Sequence, residues 1–297
     1  MHLMRRSLRA LTVALGLALM TTPTRGQMAS TDRSRMTDSG IQELLVKTRD
    51  YQFDAPDVIW SGPTHIRLLN EGPDFHHLWL VRLLEGKTVD DLMAYMAEGD
   101  KPLPAWAVDE GGPNTPGRPG EETSAYMNLK PGSYAMICVI PAATDGRIHL
   151  QHGMVRALTV KEARAVSAEP LPAADITMTL DDYSFGLSKM ITPGHHTIRV
   201  QNQASQAHEV VVVKLAPGKS AQDFVQWVGT DRKGEEPGDI LGGVTGISKG
   251  EINVFEMDFV PGRYALLCFV PDAGDGMPHF MHGMMQEFDV GAGVEMR

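Results

Sequence analysis

Gly262-Arg263-Tyr264-Ala265-Leu266-Leu267-Cys268-Phe269-Val270-Pro271, followed by His279-Phe280-Met281-His282-Gly283-Met284, decides how this chain is read. Tyr264, Leu266, Cys268 and Val270 alternate, so in a strand they share one face and the thiol points inward with the aromatic and aliphatic side chains. Pro271-Asp272-Ala273-Gly274-Asp275-Gly276 then turns the chain, and histidines and a methionine return on the loop. The pattern occurs twice. Pro131-Gly132-Ser133-Tyr134 precedes Cys138, and His149, His152, Gly153 and Met154 follow it, displaced by 130 positions.

Upstream the displacement is 132: Asp50-Tyr51-Gln52-Phe53 matches Asp182-Tyr183-Ser184-Phe185, and Asn70 and His76 match Asn202 and His208. The chain therefore reads as two copies of one module. The expected divisions are residues 47–160 and 174–290, a linker at 161–173 rich in Ala, Pro and Glu, and a polar lead at 27–46. That lead is expected to be mobile, with a short helix after Ser39. Residues 1–26 place Arg5, Arg6 and Arg9 before the apolar run Ala10 to Met20, the pattern of a secretory signal peptide. Its removal, which takes four Arg and no acid, leaves 23 basic and 37 acidic residues. Such an acidic chain lacks the basic surface that nucleic-acid binding requires, and nothing in the mature chain reads as transmembrane. Export to the periplasm or the medium is expected.

Within each module the patterning is mainly strand. Ile176 to Leu180 alternates, Thr197 to Asn202 is rich in β-branched residues, and Glu209 to Leu215 carries a Val run suited to a buried strand. Thr88-Val89-Asp90-Asp91 and Ser220-Ala221-Gln222-Asp223 have the spacing of a capping box and predict one helix per copy. The Gly-rich stretches Gly111 to Gly120 and Gly242 to Gly250 read as loops. Glu251 to Phe259 and Gly262 to Val270 read as a strand pair across a Pro-Gly turn. Short strands, frequent turns and one inserted helix indicate a mainly β fold of two tandem β-sandwiches.

Two cysteines in an exported chain invite a disulfide, a packed thiol or a metal. Their equivalent mid-strand positions face two separate cores, which disfavours a bridge. One thiolate, two imidazoles and a thioether make the soft environment that suits copper cycling between two oxidation states.

On these residues the modules resemble cupredoxins, the small blue copper β-sandwiches, which implies a Greek-key path and a mononuclear copper site in each. Asn202 and His208, Tyr264 and Cys268, then His279 and Met284 match the family pattern, as do Asn70, His76, Tyr134, Cys138, His149 and Met154. The resemblance implies copper ligands His208, Cys268, His279 and Met284 in copy two and His76, Cys138, His149 and Met154 in copy one, with His282 and His152 as rivals in the loops. The chain departs from the family pattern in its ten-residue Cys-to-His loop. It also has Glu209 and His77 where cupredoxins place an Asn that steadies the Cys loop.

Three functions fit: one-electron transfer to an unnamed redox partner protein, storage or chaperoning of Cu(I), and a metal-free binding module. No His-x-His pair of a trinuclear copper cluster is present in the sequence, which argues against an oxidase.

Overall fold

The computed structural model describes residues 34–36, 40–98, 102–163, 171–230 and 232–291. The expected signal peptide, most of the lead before residue 40 and the centre of the expected linker lie outside them. The described strands are β1 (Ser34–Met36), then in copy one β2 (Gln42–Arg49), β3 (Gln52–Asp54), β4 (Val58–Trp60), β5 (Gly62–Asn70), β6 (Trp79–Leu83), β7 (Ala107–Gly111), β8 (Glu122–Leu129), β9 (Gly132–Ile137) and β10 (Val155–Lys161). Copy two contributes β11 (Ile176–Asp181), β12 (Ser184–Leu187), β13 (Gly194–Asn202), β14 (His208–Leu215), β15 (Gly238–Ile247), β16 (Ile252–Phe259), β17 (Gly262–Leu267) and β18 (Met285–Val290). Among the described residues each copy also has one α-helix, α1 (Val89–Met96) and α2 (Ala221–Gly229). Thr88 and Ser220 cap them, each accepting from the N–H three residues on while the Asp there returns a bond to the cap.

The strands make two sheets, in the orders β1-β2-β5-β8-β16-β13-β11-β12 and β18-β17-β14-β15-β7-β6-β9-β10-β4, with β3 on the edge of β2. In copy two the chain crosses between sheets from β13 to β14, β15 to β16 and β16 to β17, so sheet neighbours are not sequence neighbours. This is the Greek-key path, and copy one repeats it. Both sheets are continuous across the copies, joined where β16 meets β8 and where β15 meets β7.

Three local readings change. The segment after Ser39 is strand rather than helix: Gln42, Leu44, Val46 and Thr48 alternate into the core while β2 runs parallel to β5. This strand begins within the stretch read as the lead, before residue 47. The expected strand pair is split between the sheets, because Pro261-Gly262 carries the chain from β16 to β17 across the sandwich. The Tyr264 hydroxyl locks that corner, donating to Val260 O at 2.8 Å. Finally, Gly242 and Gly243 lie within strand β15. Gly243 has φ +116°, and a Cβ there would stand 2.1 Å from Val210 O. The glycines serve close strand approach at a bulge rather than a loop.

Strand β17 is buried on both faces. Tyr264, Leu266 and Cys268 enter the core between the sheets, whereas Ala265 and Leu267 lie beneath α2 with Phe224 and Val225. In copy one, Tyr134, Met136 and Cys138 face the inner core, and Ala135 and Ile137 lie in the outer cluster with Leu92 of α1.

At the junction of the copies Asp109 is buried, with Oδ2 accepting from the Ser248 hydroxyl at 3.1 Å. Burial pushes its pKa up to about 7, only partly offset by that hydrogen bond. A carboxyl held above its unfolded value of about 3.9 contributes stability below that value, and the contribution is lost as pH rises through 7. Asp109→Asn is therefore expected to gain stability relative to the parent chain between pH 4 and 8, by on the order of 4 kcal/mol. Thermal melts across that range should show the gap widening with pH; a constant gap would reject the shift.

Candidate metal centre

The first histidine of each site opens or precedes a strand in the second sheet, His208 at the start of β14 and His76 just before β6. Asn202 and Asn70 fix the approach: each side-chain amide donates at 2.8 Å to the carbonyl four residues on, Gln206 O and Asp74 O. The thiols lie one residue beyond β17 and β9.

The long loops that follow are closed excursions. Pro271 bridges to Pro278, the Asp272 N–H donates to Met277 O, and the His279 N–H donates to Val270 O at 3.0 Å. Copy one closes likewise, with His149 N–H on Ile140 O at 2.9 Å. The added residues therefore project outward, and the histidine resumes beside the strand that carries the cysteine.

The structure brings His208, Cys268 and His279 together, and separately His76, Cys138 and His149, with each trio's ligand atoms within 4.8 Å of one another. All six residues have no exposed surface. Cys268 Sγ lies 3.4 Å from His279 Nδ1 and 3.9 Å from His208 Nδ1. In copy one Cys138 Sγ lies 3.5 Å from His149 Nδ1, and the two Nδ1 atoms of His76 and His149 are 3.1 Å apart. Metal bonds of about 2.0 Å to nitrogen and 2.3 Å to sulfur place donors roughly 3.3–3.8 Å apart, so the trios have the spacing of a three-ligand site. Met284 and Met154 are fully buried in the same core clusters as Cys268 and Cys138. The rivals His282 and His152 lie outside, each Nε2 on a loop carboxylate, Asp275 at 3.2 Å and Asp145 at 3.1 Å. Both cysteines are free and belong to different cores.

The donor chemistry fits a soft cation. His76 Nε2 faces Asp50 Oδ1 at 3.1 Å, His208 Nε2 faces Asp182 Oδ1 at 3.2 Å and His149 Nε2 faces Asp74 Oδ2 at 3.3 Å. Carboxylates there favour the Nε2–H tautomer and leave the Nδ1 lone pairs turned inward. In copy one two such lone pairs face each other at 3.1 Å beside a thiol, an arrangement that a cation relieves. Burial, together with the neighbouring imidazole of the pair, lowers His76 and His279 to about 4, so both are neutral at pH 7. Burial lowers His208 as well, against the pull of Asp182. Burial pushes the Cys138 thiol up to about 12 and the Cys268 thiol well upward, so metal entry must expel a proton from each.

Sequence reasoning missed the groups behind the ligands. Asp50-Tyr51 and Asp182-Tyr183 stood in the repeat, yet nothing local showed that the acids orient His76 and His208. Tyr51 and Tyr183 have φ near +64° and +65°, a strained conformation for a tyrosine, and place their rings against His152 and His282 at 4.3 and 5.0 Å. The acid near the second histidine changes position between copies. Asp74 lies beside His149, whereas its equivalent is Gln206 and the carboxylate near His279 comes from Asp272, with Oδ2 3.8 Å from Nε2. The Ala143 and Ala273 N–H groups bond to the side chains at those matched positions, Asp74 and Gln206.

His77 and Glu209 take the part of a loop clamp. The Val139 N–H donates to His77 Nε2 at 3.1 Å and the Phe269 N–H to Glu209 Oε1 at 2.8 Å, so both acceptors hold the residue after the cysteine. Glu209 N–H also donates to Cys268 Sγ at 3.4 Å.

No family model and no curated protein matches the chain. Among solved structures it is similar to a multicopper oxidase, at TM-score 0.24 and 13% identity over 87% of this chain and 92% of that one. It is also similar to an auracyanin from Roseiflexus castenholzii, at TM-score 0.29 and 19% identity over 39% and 95%. A third is the Cu-containing nitrite reductase of Thermus scotoductus SA-01, at TM-score 0.21 and 14% identity over 80% and 60%. At such scores the fold and the site stand on the strand path and side-chain geometry above.

Proposed function

We propose that this chain, whose modules resemble cupredoxins in strand path and placement of Cys and His, is an exported protein that holds one copper ion per module and transfers single electrons. The observation that carries the reading is the double convergence of one buried thiol with two inward-facing Nδ1 atoms, once in each copy. His208, Cys268 and His279 would hold copper in copy two with Met284 as the weak fourth ligand, and His76, Cys138, His149 and Met154 would do so in copy one. Copper bound there supplies reversible exchange of one electron.

The chain's own residues set the conditions. Asp50 and Asp182 hold the first histidines in one tautomer, His77 and Glu209 hold the loop after each cysteine, and burial keeps water from the thiols. A preorganised site of this kind need not rearrange between oxidation states. Metal-loaded protein is expected to contain two copper ions per chain, absorb strongly in the visible through thiolate-to-Cu(II) charge transfer, and give a reversible one-electron wave. Colourless copper-loaded protein would reject the proposal.

Cu(I) uptake is the second reading, favoured by Met277 and Met281, which are exposed near His282 in copy two where copy one has Arg147 and Gln151. Tight Cu(I) binding without a voltammetric wave would select it. Among the described residues no helix is long and apolar enough to cross a membrane.

A further inference from the structure

A cavity of about 690 Å³ lies on the outer face of the second sheet, where the two copies meet between α1 and α2. Its walls are mainly apolar, and the residues that follow both thiols, Val139 and Phe269, reach it. The internal repeat makes the cavity symmetric in backbone. Trp79 stands opposite Ile137 as Val211 stands opposite Leu267, and Asp109 stands opposite Val81 as Ile240 stands opposite Val213. All four matched positions line the cavity. Copy two fills its pair with aliphatic side chains, so the fold does not require polar groups there.

Copy one nonetheless places a carboxylate and an indole at these positions. Asp109 Oδ1 and Trp79 Nε1 are both buried without a hydrogen-bond partner. The indole lies near enough to lower the Asp109 pKa slightly against burial, yet makes no hydrogen bond of proper geometry to it. Gly246 seats the Trp79 ring, since a Cβ there would fall 2.7 Å from it. An unpaired buried donor or acceptor costs about 1–3 kcal/mol, so the pair calls for an occupant that satisfies both. A hydroxyl does so by donating to the carboxylate and accepting from the indole N–H.

The other charged groups at the wall are already engaged. Arg232 pairs with Asp74 at 2.7 Å, and Glu209 holds the Phe269 N–H and the Asn114 amide. Asp109 Oδ1 is left for the occupant, and a neutral hydroxyl satisfies it by donating. Phe224 and Phe269, with Trp79, give flat walls suited to rings. We propose that this cleft binds one neutral, ring-bearing apolar molecule carrying a hydroxyl group, which bridges Trp79 Nε1 and Asp109 Oδ1 while the rings lie against Val211, Ile240 and Phe224.

The test uses metal-free full-length chain at pH 8, so its outcome is independent of the copper reading. Calorimetric titration with 2-naphthol is expected to give saturable binding of one molecule per chain. Binding of 2-methoxynaphthalene, whose ether oxygen cannot donate, should be at least ten-fold weaker. Asp109→Asn keeps the side-chain shape and should reduce 2-naphthol affinity ten-fold or more while narrowing the preference between the probes. Val228→Trp, on the half-buried edge of α2, should block both probes and provides a second variant that fills the cavity without touching Asp109. Absence of saturable binding, equal affinity for the two probes, or full binding by Val228→Trp would overturn the proposal.

Discussion

Cys268→Ser is expected to remove one of two copper ions per chain and about half of the visible absorption, Cys138→Ser the other half, and the double variant all of it. The reason lies in the donor. A serine hydroxyl is a hard oxygen that does not ionise near neutral pH, and in a fully buried site it cannot replace a thiolate as the strong soft ligand. The two thiols occupy separate cores and the trios share no residue, so the losses should add. Ser is close in size to Cys, so the fold should survive a substitution near the end of a strand. Metal analysis paired with the visible spectrum checks this, and a double variant that keeps the band would place the chromophore elsewhere.

Gly243→Ala is expected to have the largest effect on stability of any single-methyl addition considered, about 3–5 kcal/mol or outright loss of folding. The added Cβ meets Val210 O at 2.1 Å, and the residue sits at φ +116°, so neither a rotamer change nor a small shift of a flexible side chain relieves the clash. Val210 is buried next to Glu209, and β14 must slide away from β15 to accept the methyl. Gly250→Ala is the control: it also has positive φ, but its Cβ would meet nothing within 4 Å. Denaturant unfolding of the two variants should separate steric clash from backbone strain, with Gly250→Ala losing the lesser part, about 1 kcal/mol. Equal losses would show that close strand approach is not what the glycine serves.

Much of the candidate site is legible in the sequence alone. A two-residue strand period put Cys138 and Cys268 inward, and the repeat paired every proposed ligand with a twin. Capping boxes at Thr88 and Ser220 announced both helices. Local pattern misled where a residue's surroundings overrule its usual preference. Gly242 and Gly243 resemble a loop in sequence but serve a bulged strand, and Pro261-Gly262 resembles a hairpin turn but bridges two sheets. The strand at Gln42–Arg49 alternates too, although its polar partners concealed it.

The sequence by itself determined the β class and set out the repeated pattern with its candidate soft donors, because these depend on residue type and on spacings of a few positions. Only tertiary structure decided that His279 and His149, not His282 and His152, face the thiols, because the loop hairpins set which imidazole turns inward. It also decided that Asp50, Asp182 and Asp74 stand behind the ligands. Those contacts join residues far apart in the chain, and a hydrogen bond depends on distance in space, which no local pattern encodes.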